Sequence, residues 1–428
     1  MTNKNKTENV VVIGLGYVGL PLACLAAEKG YHVFGLEKDK EKVDMINKKE
    51  SPVKEKEVIE WLKKVDIEAT TDSSIIKKAD IVMVCVPTPV DKEYMPDLTP
   101  IKSAASSLAE HLKKDQLIIF ESTVNPGVCQ EVVLPILEKS GLKAGQDFYL
   151  AHCPERIDPG NKKWNVRNIP RVVGAYAKEG LEKAVKFYQS ILEGQVRPMK
   201  SLKEAEATKI VENTFRDINI AFVNELARSF DKLGIDVYDV IQGASTKPFA
   251  FMAHYPSIGV GGHCIPVDPY YLIKRAKSAG FDHKFLKLAR EINKSMPGYA
   301  VNQLMLALNQ INKSIKGTKI GLLGISYKAN VSDKRETPFS DIQKLIKELD
   351  ADLLIYDPYF KKESNVKNLD ELIEKSEVLV VVTNHNEFVN VDLNKLKDNN
   401  IKIIIDGKNC LNKEKIEEMG IIYKGMGR

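Results

Sequence analysis

The sequence predicts an α/β protein: two Rossmann-like, doubly wound parallel-sheet lobes joined by a central helical segment. Three observations carry this. A glycine pattern, Gly14-Leu15-Gly16-Tyr17-Val18-Gly19, sits between a β-rich apolar run and a helical stretch. The segment from Lys203 to Leu233 is helical in composition and holds no Gly or Pro until Gly234. After Lys319 the alternation of apolar strands and helices begins again. A chain of 428 residues is too long for one ordinary core, and the pattern divides it into a dinucleotide domain (1–200), a helical segment carrying a cysteine loop (201–312) and a second Rossmann-like domain (313–428).

The elements follow in order. Val10-Val11-Val12-Ile13 reads as a strand broken at Gly14; 21–29 reads as a helix ended by Gly30, and 32–37 as a second strand, which completes a βαβ unit. Apolar runs at 81–86 and 116–120 predict further strands, with 149–152 and 171–173 completing the sheet. A second helical block spans 282–308 and is interrupted at Pro297-Gly298. The third segment predicts strands at 319–323, 353–356, 378–382 and 401–405 and a helix at 341–349. Its first strand is followed by Gly324 without the full glycine pattern, so this lobe is expected to bind something other than a redox cofactor. The helical surface of the middle segment predicts a homodimer or higher homo-oligomer.

Composition narrows the function. The net charge is +5, with Lys and Glu interspersed, so no basic face for nucleic acid is indicated. The six cysteines include no CxxC pair, which argues for a reducing compartment without disulfides or a zinc site. The polar start, 1–9, lacks an apolar signal region and no run reaches membrane-span length, so a cytoplasmic location is expected, with no membrane partner.

In the glycine pattern, Gly14 permits the tight turn, Gly16 lets the backbone approach a pyrophosphate, and Gly19 lets helix and strand pack closely. Tyr17 and Val18 lie in the same turn, and the helix start offers N–H groups to phosphates. Glu37 ends the second strand 18 positions after Gly19; a carboxylate there accepts from ribose hydroxyls and repels a 2′-phosphate, which favours NAD over NADP even with Lys38, Lys40 and Lys42 beside it.

A potential nucleophile accompanies this hydride-acceptor site. Cys264 stands in Gly259-Val260-Gly261-Gly262-His263-Cys264-Ile265-Pro266-Val267-Asp268, near a predicted helix start, where a thiolate is favoured. A thiolate captures an aldehyde as a thiohemiacetal, which can lose a second hydride. The pairing points to four-electron oxidation of a primary alcohol to a carboxylate. Asp268 lies four residues after Cys264, and Lys209 and Asn213 are also four apart on the long helix. An ammonium and an amide on one face can stabilise an alkoxide or oxyanion.

These segments, together with Val86-Pro87-Thr88-Pro89, Glu121-Ser122-Thr123-Val124-Asn125-Pro126-Gly127 and Pro154-Glu155-Arg156, occur in the order of one family over essentially the whole chain. The sequence resembles the UDP-glucose/GDP-mannose dehydrogenases. The resemblance implies Cys264 as nucleophile, Asp268 as a positioner of water or proton carrier, and Glu155 as the base of thioester hydrolysis. Thr123 then contacts the nicotinamide and a catalytic water, and Thr88 lies in the cofactor loop. Tyr327 or Lys328 contacts the nucleotide sugar, as do Arg156 and Gly261; Arg335 reaches the cofactor, and Lys408 is a weaker diphosphate ligand.

His152-Cys153-Pro154-Glu155-Arg156-Ile157-Asp158-Pro159-Gly160, His263 and Val267 resemble the branch that oxidises UDP-N-acetylhexosamines rather than UDP-glucose. Within it, Ser245-Thr246-Lys247-Pro248-Phe249 and Tyr255-Pro256 resemble UDP-N-acetylglucosamine 6-dehydrogenases, and Asn213-Thr214-Phe215-Arg216-Asp217 equally suits UDP-N-acetylmannosamine dehydrogenases. The expectation is the gluco epimer. The arginine that such enzymes carry upstream of the cysteine loop is missing between Gly243 and Cys264, which leaves Lys247, His254 and Arg156 as substitutes. A two-electron β-hydroxyacid dehydrogenase needs neither the cysteine nor the last 120-odd residues. A silent nucleotide-sugar binding protein needs none of the reactive set.

Overall fold

The computed structural model describes residues 8–91, 96–157, 161 and 163–428. Most of the polar start, and Asp158-Pro159-Gly160 of the subtype motif, lie outside the described residues. The chain forms two compact units, residues 1–212 with 270–279 and residues 213–269 with 280–428.

The first unit is built on an eight-stranded sheet: β1 (Asn9–Ile13), β2 (His32–Leu36), β3 (Ile67–Thr70), β4 (Ile81–Val84), β5 (Leu117–Phe120), β6 (Tyr149–His152), β7 (Arg171–Ala175) and β8 (Val196–Pro198). Their order is β3-β2-β1-β4-β5-β6-β7-β8, with the dinucleotide-fold order over the first six. The strands are continuously apolar because both faces are covered. Val10 and Val12 join one core cluster, while Val11 and Ile13 join the cluster on the opposite face. Reversal of strand order between β1 and β4 opens the crevice where such sheets take ligands, beyond the carboxyl ends of the strands.

Two expectations need correction. The first sheet is not wholly parallel: β7 runs antiparallel to β6, with Ala151 opposite Ala175 and His152 opposite Gly174. An apolar run looks the same in either direction, so periodicity carries no sign of this. The second correction is the Lys284–Gln310 helix, which runs through Pro297 without interruption. Proline costs a helix interior about 3 kcal/mol. Here Pro297 is buried, and Met296, Ala300 and Leu304 on the same helix pack into the second unit's core, which offsets that cost. The short strands β3 and β8 were not anticipated; Pro198 on β8 is tolerated at a sheet margin.

The second unit holds a five-stranded parallel sheet of β9 (Lys319–Leu323), β10 (Asp352–Tyr356), β11 (Val378–Val381), β12 (Ile403–Asp406) and β13 (Ile422–Gly425), ordered β10-β9-β11-β12-β13. β13 is a further strand that the sequence pattern missed. Helical segments Val237–Ser245 and Lys284–Gln310 belong to this unit, and the Leu202–Leu233 helix contributes its residues from Asn213 onward. Among the described residues no helix is long and apolar enough to cross a membrane.

The first turn of this sheet repeats the first unit's. Gly14 donates its N–H to Leu36 O at 2.8 Å and Leu15 N–H reaches the Glu37 carboxylate at 2.9 Å. Correspondingly, Gly324 donates to Tyr356 O at 2.9 Å and Ile325 N–H reaches Asp357 at 2.6 Å. The difference is what else the acid holds. Asp357 is fully buried and also accepts from Ser326 N, Ser326 Oγ, Tyr359 N and His385 Nε2. Asn330 N–H donates to His385 Nδ1, which leaves the proton on Nε2. Burial alone would raise the Asp357 pKa, but the His385 and backbone donors outweigh it and hold the carboxyl well below the usual range. With its lone pairs committed, Asp357 organises the turn and has little left for a ribose.

A carboxyl depressed in the folded state stabilises fully above its unfolded pKa near about 4 and loses that contribution as pH falls. Asp357→Asn is therefore expected to lower stability at neutral pH by about 2 kcal/mol. It should also flatten the loss of stability between about pH 5 and pH 3. Guanidinium titrations across that range would show parallel curves if Asp357 contributed nothing.

Candidate active site

In the first unit the sequence-predicted residues gather at the carboxyl edge of the sheet because each follows a strand of common direction. Gly14 follows β1 with φ +88°, and a Cβ there would come within 2.9 Å of Cys85 O. At Gly19 a Cβ would lie 1.9 Å from Gly14 O, so the Gly19–Glu28 helix can close onto the turn only with glycine. At Gly16 a Cβ would meet nothing within 4 Å: that side of the backbone is open, as an approaching pyrophosphate requires. Tyr17 is 61% exposed and Val18 is half-buried. Glu37, after β2, fixes the turn through Leu15 N and accepts from Lys38 N and Asp39 N on its other oxygen. The open cradle and the acid beyond β2 fit a dinucleotide bound by its pyrophosphate and ribose.

Thr88 follows β4 and Thr123 follows β5; both are half-buried. Ser122 Oγ donates to Val86 O at 2.6 Å, joining the two loops, which removes Ser122 as a nucleophile. Tyr271 Oη donates to Thr88 O at 3.2 Å.

Glu155, after β6, is held more firmly than its sequence suggested. Its Oε1 accepts from Arg156 N at 2.5 Å and Ile157 N at 2.6 Å, and its Oε2 accepts from Arg171 Nη2 at 3.1 Å. Arg171 is fully buried and donates Nη1 to Glu121 Oε2 at 3.0 Å, while Tyr188 Oη donates to Glu121 Oε1. Burial pushes the Glu121 carboxyl up, and the guanidinium offsets part of that rise. Sequence reasoning missed Arg171 and Tyr188 and treated Glu121 only as part of a motif. The available signal was an arginine heading a run that otherwise reads as buried strand.

In the second unit the cysteine loop is built against its surroundings by close approaches. Ser257 N–H donates to Asn224 Oδ1 at 2.9 Å and Ile258 N–H to Gly407 O at 3.0 Å, which anchors the entry. A Cβ at Gly261 would come within 2.7 Å of Tyr327 Cβ, and one at Gly262 within 2.8 Å of the Tyr327 ring. Gly262 N–H donates to Arg335 O at 3.0 Å. The glycines therefore exist to press the loop onto Tyr327 and the 335–338 segment. Cys264 follows, exposed, and its carbonyl accepts from Asp268 N at 2.9 Å, the turn that leads into the Asp268–Ser278 helix. Asn213 Nδ2 donates to Asp268 Oδ2 at 2.6 Å; both are buried. The two i, i+4 pairs read from sequence are thus joined through Asn213 and Asp268, with half-buried Lys209 one turn before Asn213 on the same helix. Burial, and then Arg335, lowers the His263 pKa, favouring the neutral ring.

Other predicted residues carry partners of their own. The Arg335 guanidinium is forked onto Asp333 at 2.6–3.1 Å. Arg156 pairs with Glu212 at 2.6 Å and donates to Pro170 O. Lys328 is half-buried after β9. Lys408 is half-buried beside Gly407, and burial lowers its ammonium pKa. Among the described residues, one group brings metal-ligating side chains together: buried Cys129, His152 and Glu206. Both Glu206 oxygens already accept backbone N–H groups, from Gly127 at 2.5 Å and Cys129 at 2.8 Å. Burial pushes the Cys129 thiol well up and the His152 imidazole down to about 3, so the group reads as a dry hydrogen-bonded clamp.

Three family models match consecutive parts of the chain: the UDP-glucose/GDP-mannose dehydrogenase NAD binding domain over residues 8–192, the central domain over 203–295 and the UDP binding domain over 321–413. The chain is 34% identical to a UDP-N-acetyl-D-mannosamine dehydrogenase of Pyrococcus horikoshii, over 98% of this chain and 99% of the relative. It is 37% identical to a UDP-N-acetyl-D-glucosamine 6-dehydrogenase of Pseudomonas aeruginosa, over 84% of each chain. A solved structure of the Pyrococcus horikoshii protein superposes with a TM-score of 0.91, covering 98% of this chain and 99% of that one. An NDP-N-acetyl-D-galactosaminuronic acid dehydrogenase from Methanosarcina mazei superposes with a TM-score of 0.89 at 33% identity, covering 99% and 96%. With an open glycine cradle in one unit and a constrained cysteine loop in the other, the chain belongs to the UDP-glucose/GDP-mannose dehydrogenase family and is an NAD-dependent UDP-sugar oxidoreductase.

Proposed function

We propose that this enzyme oxidises the C6 hydroxyl of a UDP-N-acetylhexosamine to the uronic acid in two steps through a covalent intermediate on Cys264. The observation that carries the reading is the exposed thiol on a glycine-built loop, one turn ahead of the buried Asp268–Asn213 pair. Gly14, Gly16, Tyr17, Val18, Gly19, Glu37, Thr88 and Thr123, together with Arg335, are assigned to NAD. Two NAD molecules, bound in turn, would each supply the acceptor for one of the two hydrides.

The chain's own groups manage protons and carbonyl chemistry. Water held by Asp268 and Lys209 takes the C6 hydroxyl proton. The Cys264 thiolate adds to the aldehyde carbon, and Lys209 and Asn213 stabilise the oxyanion that forms. Loss of the second hydride leaves a thioester. Glu155 takes a proton from water as the water attacks that carbonyl, and the thiolate departs. Arg156, Gly261, Tyr327, Lys328 and Lys408 bind the nucleotide sugar. Exposed Phe215 and Phe222 on the Leu202–Leu233 helix support a homodimer, and sparse cysteine usage supports a cytoplasmic enzyme.

The sequence motifs favour the gluco epimer. The manno epimer is favoured by the name of the Pyrococcus horikoshii relative, which matches over nearly the whole chain. NADH formation measured in parallel with UDP-N-acetylglucosamine, UDP-N-acetylmannosamine and UDP-glucose separates them, and two NADH per uronate are expected from one acetamido sugar. A single NADH per product would replace the reading with two-electron chemistry, and silence with all three would favour a binding protein.

Cys264→Ser is expected to abolish uronate formation while NAD affinity, read by fluorescence titration, stays unchanged. Normal uronate output from that variant would sink the covalent scheme. Lys209→Ala should lower kcat by about 100- to 1,000-fold with a much smaller change in NAD affinity; an unchanged kcat would remove it from the oxyanion site.

A further inference from the structure

We infer that Arg171 is a positioning residue for the hydrolytic half of the reaction: it aims the Glu155 carboxylate, and Glu121 with Tyr188 holds Arg171 in place. This rests on the proposed role of Glu155 as the base of thioester hydrolysis. The lone pairs identify the working atom. Oε1 of Glu155 already accepts two backbone N–H groups, whereas Oε2 accepts only from Arg171 among the described residues. Oε2 is therefore the atom left to accept from water, and Arg171 decides where it points.

The antiparallel strand explains why an arginine is there at all. Continuing the β6–β7 register from His152 opposite Gly174 brings Arg171 opposite Glu155. In a parallel β7 its first residue would emerge at the other edge of the sheet, away from the loops after β4, β5 and β6. Arg171 and Glu121 are fully buried, Tyr188 is fully buried on the Lys178–Ile191 helix, and Glu155 is 9% exposed.

One guanidinium faces two carboxylates in a dry site. The other groups facing the cluster are Cys153 after β6 and Cys85 after β4, both thiols pushed well up by burial, and Tyr188, whose phenol is likewise raised. The Arg156–Glu212 pair lies next along the chain. Glu121 Oε2 accepts from Nη1 of Arg171 while Nη2 reaches Glu155 Oε2, so one guanidinium fork spans both acids and fixes their relative placement.

The test is rapid mixing of full-length enzyme with excess NAD and the UDP-N-acetylhexosamine that it turns over. Arg171→Lys keeps a charge but loses the two-pronged fork. It is expected to release a burst of two NADH per active site at near wild-type rate, then turn over about 100-fold more slowly. Acid quench should trap the acyl adduct on Cys264 by mass. Unchanged turnover, or a burst slowed in the same proportion as turnover, would overturn the inference. If Arg171→Lys fails to fold, Glu121→Gln keeps the arginine and the packing. With the Glu121 carboxylate gone, Arg171 loses one of the groups that hold it, so turnover should fall by about tenfold while the two-NADH burst keeps its rate, and unchanged turnover counts against Arg171 as the positioner. Failure of the underlying reading looks different: the wild-type enzyme itself would give no Cys264 adduct under quench and no two-NADH stoichiometry.

Discussion

Strands covered on both faces cannot carry function along their length. Val10 to Val12, Ile118 to Phe120 and Ile403 to Ile405 are wholly buried, and every second side chain enters one of two opposed cores. A polar group placed there would be desolvated without recompense. Chemistry is thereby driven to the strand ends, and parallel strands put their carboxyl ends on one side. The glycine turn, Glu37, Thr88, Thr123 and Glu155 all obey this in the first unit. Tyr327, Asp357, His385 and Lys408 obey it in the second.

The two units treat the same turn differently. Both begin with a positive-φ glycine whose N–H returns to the neighbouring strand, and both use an acid beyond the second strand to hold the turn. In the first, Glu37 is partly open and Gly16 leaves a bare backbone. In the second, Ser326 spends its N–H and hydroxyl on Asp357, and His385 completes a closed set of donors. A saturated carboxylate suits rigidity, an open one suits a ligand. The family's assignment of NAD to one domain and UDP to the other follows this division.

Close backbone approach recurs at the cysteine loop, where the constraint is tertiary. Gly261 is required by the position of Tyr327, 66 residues further along the chain, and Gly262 both by the Tyr327 ring and by its own positive φ of +88°. Anchoring at Asn224 and Gly407 fixes the loop entry, and the Cys264 carbonyl launches the turn toward Asp268. A loop held in this way has its conformational entropy already spent before any ligand arrives.

The sequence by itself determined the two Rossmann-like lobes, the long helix and the glycine turn, and it named the residues proposed for the chemistry, because apolar period, glycine spacing and reactive residue types are local properties. Glu37 and Asp268 were legible at fixed offsets from Gly19 and Cys264. Tertiary structure alone decided the direction of β7, the unbroken passage of the Lys284–Gln310 helix through Pro297, and the partners of each acid. Strand direction leaves no trace in an apolar run, and a proline's cost can be outweighed only by packing from residues distant in sequence. Arg171 shows the limit most plainly. Its meeting with Glu121, 50 positions earlier, and Glu155, 16 positions earlier, depends on an antiparallel register that no spacing rule encodes, since a buried ion pair is fixed by desolvation and geometry rather than by separation along the chain.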